Sequence, residues 1–168
     1  MRISKRRFLL SLAGAALVAF AAAAGAGAQT ASAEKPLLVV SGKISQGTVQ
    51  FDRAALEALG MVSVVTNTPW YKEPVNFEGV PLARLMAAVG ARGEKLAVVA
   101  LNDYSAELPM EDVARYNVIL ALKRNGEYMP VRDKGPLFVI YPFDSDPGLK
   151  NQKFYSRSVW QVARIEVK

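Results

Sequence analysis

The chain has 168 residues, 21 of them basic and 15 acidic, with neither cysteine nor histidine. Disulfides, thiolate or imidazole metal sites, cysteine nucleophiles and Ser-His-Asp triads are therefore excluded together. A metal held directly by this protein would need oxygen ligands, and no D-x-[DN]-x-[DN]-G loop is present.

Residues 1–33 read as a cleaved secretory signal peptide. MRISKRR is a basic leader, Phe8 to Ala24 is apolar without a charge, and Ala31-Ser32-Ala33 matches an A-x-A cleavage pattern. A membrane anchor is the alternative, but the stretch is rich in Ala and Gly, which insert weakly. Within it, SKRRFLL resembles a twin-arginine export signal, with Lys5-Arg6 at the paired position and Leu10 in place of the final lysine. Ordinary Sec export is the other route, and both end in a bacterial periplasm. Without the four basic residues of the leader, 17 basic residues face the 15 acidic ones. The basic residues are scattered, so no nucleic-acid partner is implied.

Residues 34–168 suit a single domain. PLLVVSGKI and TVQFD read as strands, followed by a short helix in DRAALEALG with Asp52 as N-cap and Gly60 as terminator. MVSVVT is strand-like. NTPWYKEPVNFEGV, with two prolines and no period, reads as a long loop. PLARLMAAVG is a second helix with Pro81 near its first turn and Gly90 at its end. EKLAVVAL is a buried strand, and LNDYSAELP after it carries the polar triplet Asn102-Asp103-Tyr104. MEDVARY is a short helix or turn. NVILALKRNGEYMPV is two runs around Asn125-Gly126, a strong hairpin signal. GPLFVIYP is another strand, FDSDPGLKNQKFYS a second long polar loop, and SVWQVARIEVK a closing strand. The expected fold class is α+β, a mixed β-sheet with short helices and two long loops. Loops of that length are functional or disordered in most compact domains. Their aromatic residues, Trp70 and Tyr71 in one and Phe154 and Tyr155 in the other, argue for order.

Taken in order, VSGKI, FEGVPLARLMAAVGA, LNDYSAELP, ILALKRNGEYMPVRDKGPLFVIYP and SVWQVARIEV resemble the molybdopterin-binding domain of sulfite-oxidase-fold oxidoreductases. The resemblance spans roughly Leu38 to Val167. It implies a single sulfite-oxidase-type domain over residues 34–168. It also implies a pterin-type cofactor, either a reduced pterin or a molybdopterin-like ligand. Catalytic members hold molybdenum through a Cys on the loop before F-x-G-V-P-L. Here that loop carries Thr66, Asn67 and Thr68, so soft thiolate ligation is impossible. The His common before G-x-P-L is missing as well. What remains resembles a Cys-less subgroup of small periplasmic proteins that bind pterins without catalysis. Some of these act as ligand-sensing partners of membrane signalling proteins that control cyclic di-GMP. The resemblance thus implies a pterin-binding protein without a protein-ligated metal. Two alternatives stay open: an oxidoreductase with non-thiolate metal ligation, and an interaction module that keeps the fold without a ligand.

The 2-amino-4-oxo edge of a pterin presents donors that a carboxylate can accept and an oxo group that an amide or guanidinium can satisfy. Asp103 is the candidate acid, flanked by Asn102 and Tyr104; an Asx-turn is the competing reading. Arg132, beside Asp133 and Gly135-Pro136, can stack on a ring or donate to the oxo group. Asp133 itself reads as a solvated hairpin end. Thr68 and Trp70 lie in the loop that replaces the Cys loop, with a core role as the alternative for Trp70. Tyr155, Arg157 and Ser158 fall where the family contacts the distal side of the cofactor. Trp160 reads as core.

Overall fold

The computed structural model describes residues 36–168, so the signal-peptide expectation lies outside the described residues. Two β-sheets share one apolar core. The first runs in the order β2-β1-β10-β5-β6, from strands β1 (Leu38–Gly42), β2 (Thr48–Phe51), β5 (Lys95–Ala100), β6 (Ser105–Pro109) and β10 (Val162–Val167). The second runs β3-β4-β7-β8, from β3 (Val62–Thr66), β4 (Val75–Pro81), β7 (Ile119–Arg124) and β8 (Glu127–Tyr128), with β9 (Phe138–Ile140) also on β7. β1 and β10 pair in parallel, and the other strand pairs are antiparallel. The α+β class and the mixed pairing hold, with the strands divided between two sheets.

The burial pattern explains the layering. In β10 only Val162, Ile165 and Val167 are buried, while Arg164 and Glu166 face water, as expected for a sheet with one wet face. β7 is buried on both faces: Leu120 and Leu122 join the main core, and Ile119 and Ala121 join a second cluster with Phe77, Phe138 and Ile140. Gly79 sits at a register shift between β4 and β7, where a Cβ would run into the Leu120 carbonyl, so only glycine permits this approach.

Among the described residues, four short α-helices fill the connections: α1 (Arg53–Ala58), α2 (Leu82–Ala88), α3 (Met110–Arg115) and α4 (Gln152–Arg157). Asp52 caps α1 by accepting from the Ala55 amide at 2.8 Å. Asn125 and Gly126 both have positive φ, +50° and +85°, as a two-residue hairpin turn requires.

Two expectations need correction, and one stretch gains an element. The first long loop ends at Pro74, and VNFEGVP is β4, with Val75 and Phe77 alternating into the core. SAELP, given no element from the sequence, is β6, paired with β5, which makes Asn102-Asp103-Tyr104 a hairpin turn, the competing reading of that triplet. The second loop contains α4, started by Asn151, whose side chain accepts from the Lys153 amide at 2.9 Å.

Candidate functional site

A cleft of about 370 Å³ opens where three connections meet: the β5–β6 turn, the β3–β4 loop and α4 with the residues after it. The turn contributes Ala100, Asn102 and Tyr104, and the loop contributes Pro69 and Trp70. From the α4 side come Gln152, Tyr155, Ser156, Ser158 and Trp160. None of these residues is charged.

Trp70 is the hub. Its ring centroid lies 5.2 Å from Phe138, 5.9 Å from Trp160, and 6.1 Å from both Phe143 and Tyr155, all tilted or edge-on. These are the arrangements that ring quadrupoles favour. The β5–β6 turn is tied across to α4 by Tyr104, whose hydroxyl donates to the Ser156 carbonyl at 3.0 Å. Ser156 and Ser158 spend their hydroxyls on the helix carbonyls of Lys153 and Phe154, both at 3.0 Å.

Behind α4 sits a buried polar cluster. Asp112 of α3 accepts from the Arg157 guanidinium at 2.6 Å and from the Tyr141 hydroxyl at 2.9 Å. Burial, with the Asp112 charge beside it, pushes the Tyr141 phenol far above its ordinary value, so it stays a donor. This cluster fixes α4, and with it three of the cleft residues, against α3.

A second clasp holds the base of the β3–β4 loop. Asp144 accepts from the Asn67 amide at 2.6 Å and side chain at 3.0 Å, and pairs with Lys150 at 2.6 Å. The Lys150 ammonium, and after it the Asn67 amide, hold its carboxyl down at about 2 against an ordinary 3.8. Because the folded-state value is depressed, the clasp contributes in full above pH 3.8 and is lost as pH falls through about 2. Thermal unfolding between those limits should therefore drop more steeply with falling pH in the native chain than in Asp144→Asn. Parallel profiles would contradict this.

Of the nine predicted site residues, five line the cleft: Trp70, Asn102, Tyr104, Tyr155 and Ser158. Asn102 satisfies both of its readings, since its carbonyl oxygen accepts from the Tyr104 amide at 3.2 Å in an Asx-turn while the side chain lines the wall. Asp103 is not among the lining residues. With φ at +61° its side chain swings outward to Arg164, 3.1 Å away, and is 82% exposed. Arg157 is held by Asp112 behind the wall. Arg132 is exposed on a 3-10 turn at Val131–Asp133, outside the lining. The Thr68 hydroxyl is buried without a hydrogen-bond partner beside the cleft residue Pro69, but does not line the cleft.

Asp133, read as a solvated end, pairs instead with Arg124 at 2.7 Å and faces the Tyr71 hydroxyl. Trp160, read as core, is 39% exposed and lines the cleft. The positive φ of Gln161, +54°, breaks the strand before Val162, so the alternation of β10 does not reach back to Trp160. Gln152 and Ser156 were missed because they belong to a helix hidden in a polar stretch. The Asn151 cap was the available signal.

The oxidoreductase molybdopterin binding domain model matches residues 47–157, well over half of the chain. The chain belongs to that family. No curated protein matches it. This molybdopterin-binding domain is of the sulfite-oxidase type, and its family binds a pterin-type small molecule. The matched residues run from β2 through α4, and β1 and β10 complete the first sheet outside them.

The molybdopterin-binding domain fits the two parts of the family's cofactor unequally. The aromatic rings of Trp70, Tyr155 and Trp160, with the amides of Asn102 and Gln152, suit a flat heterocycle with a polar edge. The metal finds no such match. No thiolate exists in the chain, and no group of three or more acidic side chains comes together among the described residues.

Proposed function

We propose that this molybdopterin-binding domain is a periplasmic pterin-binding protein that performs no redox chemistry of its own. In this reading it is a ligand-sensing partner of a membrane signalling protein in cyclic di-GMP control. One observation carries it: an uncharged, aromatic-walled cleft in a chain that lacks any thiolate. Rings provide faces on which a bicyclic ligand stacks, and amides provide edges that read it. Nothing in that wall is a soft ligand for a metal.

The sensing role draws support from the surface around the cleft. Tyr104 and Trp160 line it and are 49% and 39% exposed. Leu101 and Val131, also exposed, are joined to it through Gln161, which accepts from the Leu101 amide and donates to the Val131 carbonyl. Exposed apolar groups gathered at one place suit a protein contact that a ligand in the cleft would alter.

Both tryptophans of the chain, Trp70 and Trp160, line the cleft. Titration of a tetrahydropterin into the purified protein should therefore change tryptophan emission and release heat in parallel, with saturation at one equivalent. Neither signal at tens of micromolar ligand would overturn the reading.

A further inference from the structure

Part of the hydrogen-bonding capacity of the cleft is already committed. Ser156 and Ser158 are committed to helix carbonyls, the Tyr104 hydroxyl donates to Ser156, and one lone pair of the Asn102 oxygen caps the turn. Among the described residues, the Asn102 side-chain N–H₂, both ends of the Gln152 amide, the Tyr155 hydroxyl and the indole N–H groups of Trp70 and Trp160 make no hydrogen bond; of these only the Gln152 oxygen and the Tyr155 hydroxyl can accept. Asn102 stands on the β5–β6 turn and Gln152 on the first residue of α4, so the two amides reach the cleft from different elements. Both are neutral, and no carboxylate lines the wall.

We infer that Gln152 and Asn102 determine which heterocycle the cleft accepts, selecting a neutral lactam of the 2-amino-4-oxo class and rejecting its 2,4-diamino counterpart. This rests on the pterin reading above and deepens it. In the lactam, the N3–H and 2-amino groups are donors and the 4-oxo group is an acceptor. The Gln152 oxygen takes the donor edge, and the Asn102 N–H₂ donates to the oxo group. A 2,4-diamino ring places a donor where the oxo group was, against the Asn102 donor. That ring is also the more basic one, and a site that favours it offers a carboxylate to the protonated form. This cleft offers amides, the Tyr155 hydroxyl and indole N–H groups, and no carboxylate. A site built to bond one polar group rejects the analogue that leaves its own group unpaired.

The test is calorimetric titration, under anaerobic conditions, of 6-hydroxymethyl-tetrahydropterin and its 2,4-diamino counterpart. The proteins are the native chain, Gln152→Ala, Gln152→Glu, Asn102→Asp and Asp103→Asn. The native chain should prefer the lactam by about tenfold or more, and Gln152→Ala should weaken it by about tenfold. Gln152→Glu should bring the diamino compound level with the lactam or ahead of it, because a carboxylate can pair with the cation. Asn102→Asp keeps an oxygen to cap the Tyr104 amide while losing the donor, so it should weaken the lactam without unfolding the turn. Asp103→Asn, which tolerates the left-handed backbone, should change nothing, since that side chain lies outside the cleft. Gln152 is exposed, so its variants should keep the native unfolding temperature. Lactam binding by the native chain that is indifferent to Gln152 and Asn102 would overturn this inference and leave the pterin reading standing. Binding of neither compound would overturn both.

Discussion

Replacing Asp112 with alanine is expected to lower the unfolding temperature by on the order of 10 °C, the result of losing about 3 kcal/mol. Asp112 is the sole acceptor that joins α3, α4 and the end of β9 in the described residues, holding Arg157 at 2.6 Å and Tyr141 at 2.9 Å. Both partners in the ion pair are largely shielded, with 17% and 10% of their side chains exposed. Removing the carboxylate leaves the Tyr141 hydroxyl, wholly buried, with no acceptor, and the Arg157 charge with no counter-ion. Replacing both members of the pair with apolar residues should cost less than the sum of the single changes, because no uncompensated charge stays behind, while the Tyr141 hydroxyl still loses its acceptor. Denaturant unfolding of Asp112→Ala, Arg157→Met and the double variant checks this. A single Asp112→Ala variant within about 0.5 kcal/mol of the native chain would contradict the assignment.

The second large effect falls on Trp70. Trp70→Ala should cost about 3 kcal/mol, the lower end of the range for a large aromatic residue, because the ring is only partly buried. Its position explains the size of the effect: it packs against both apolar clusters and touches four other rings. Ligand affinity should fall with stability, so Trp70→Ala alone does not separate the two roles. Trp160→Ala does. That ring is 39% exposed, so its loss should cost on the order of 1 kcal/mol of stability and yet remove one aromatic wall of the cleft. Chemical denaturation and pterin titration on both variants should show Trp70→Ala failing in both assays and Trp160→Ala mainly in the second. Full pterin affinity in Trp160→Ala would remove that ring from the site.

Elements governed by local chemistry could be read directly from the residues. Asp52 caps a helix because its short carboxylate reaches the Ala55 amide, and Asn125-Gly126 turns a hairpin because both residues tolerate positive φ. What escaped was decided elsewhere in the chain. β4 starts immediately after Pro74, and the prolines of the preceding loop obscured the alternation of Val75 and Phe77. β6 is an edge strand with mixed burial, ordered by its pairing to β5 rather than by its own pattern. At the site, the triplet Asn102-Asp103-Tyr104 was located but the roles within it were not. The left-handed backbone at Asp103 decides which side chain faces inward, and no composition reveals that. Arg157 lies on α4, a helix not read from the sequence, and turns away from the cleft because its counter-ion comes from α3.

The central claim is recognition of a pterin without metal chemistry. The measurement that tests it most directly is joint quantification of pterin and molybdenum in protein purified from the cells that make it. Pterin approaching one equivalent, with molybdenum far below it, is the result predicted by a cleft walled by Trp70, Tyr155 and Trp160 in a chain without a thiolate. Stoichiometric molybdenum retained through purification would contradict it.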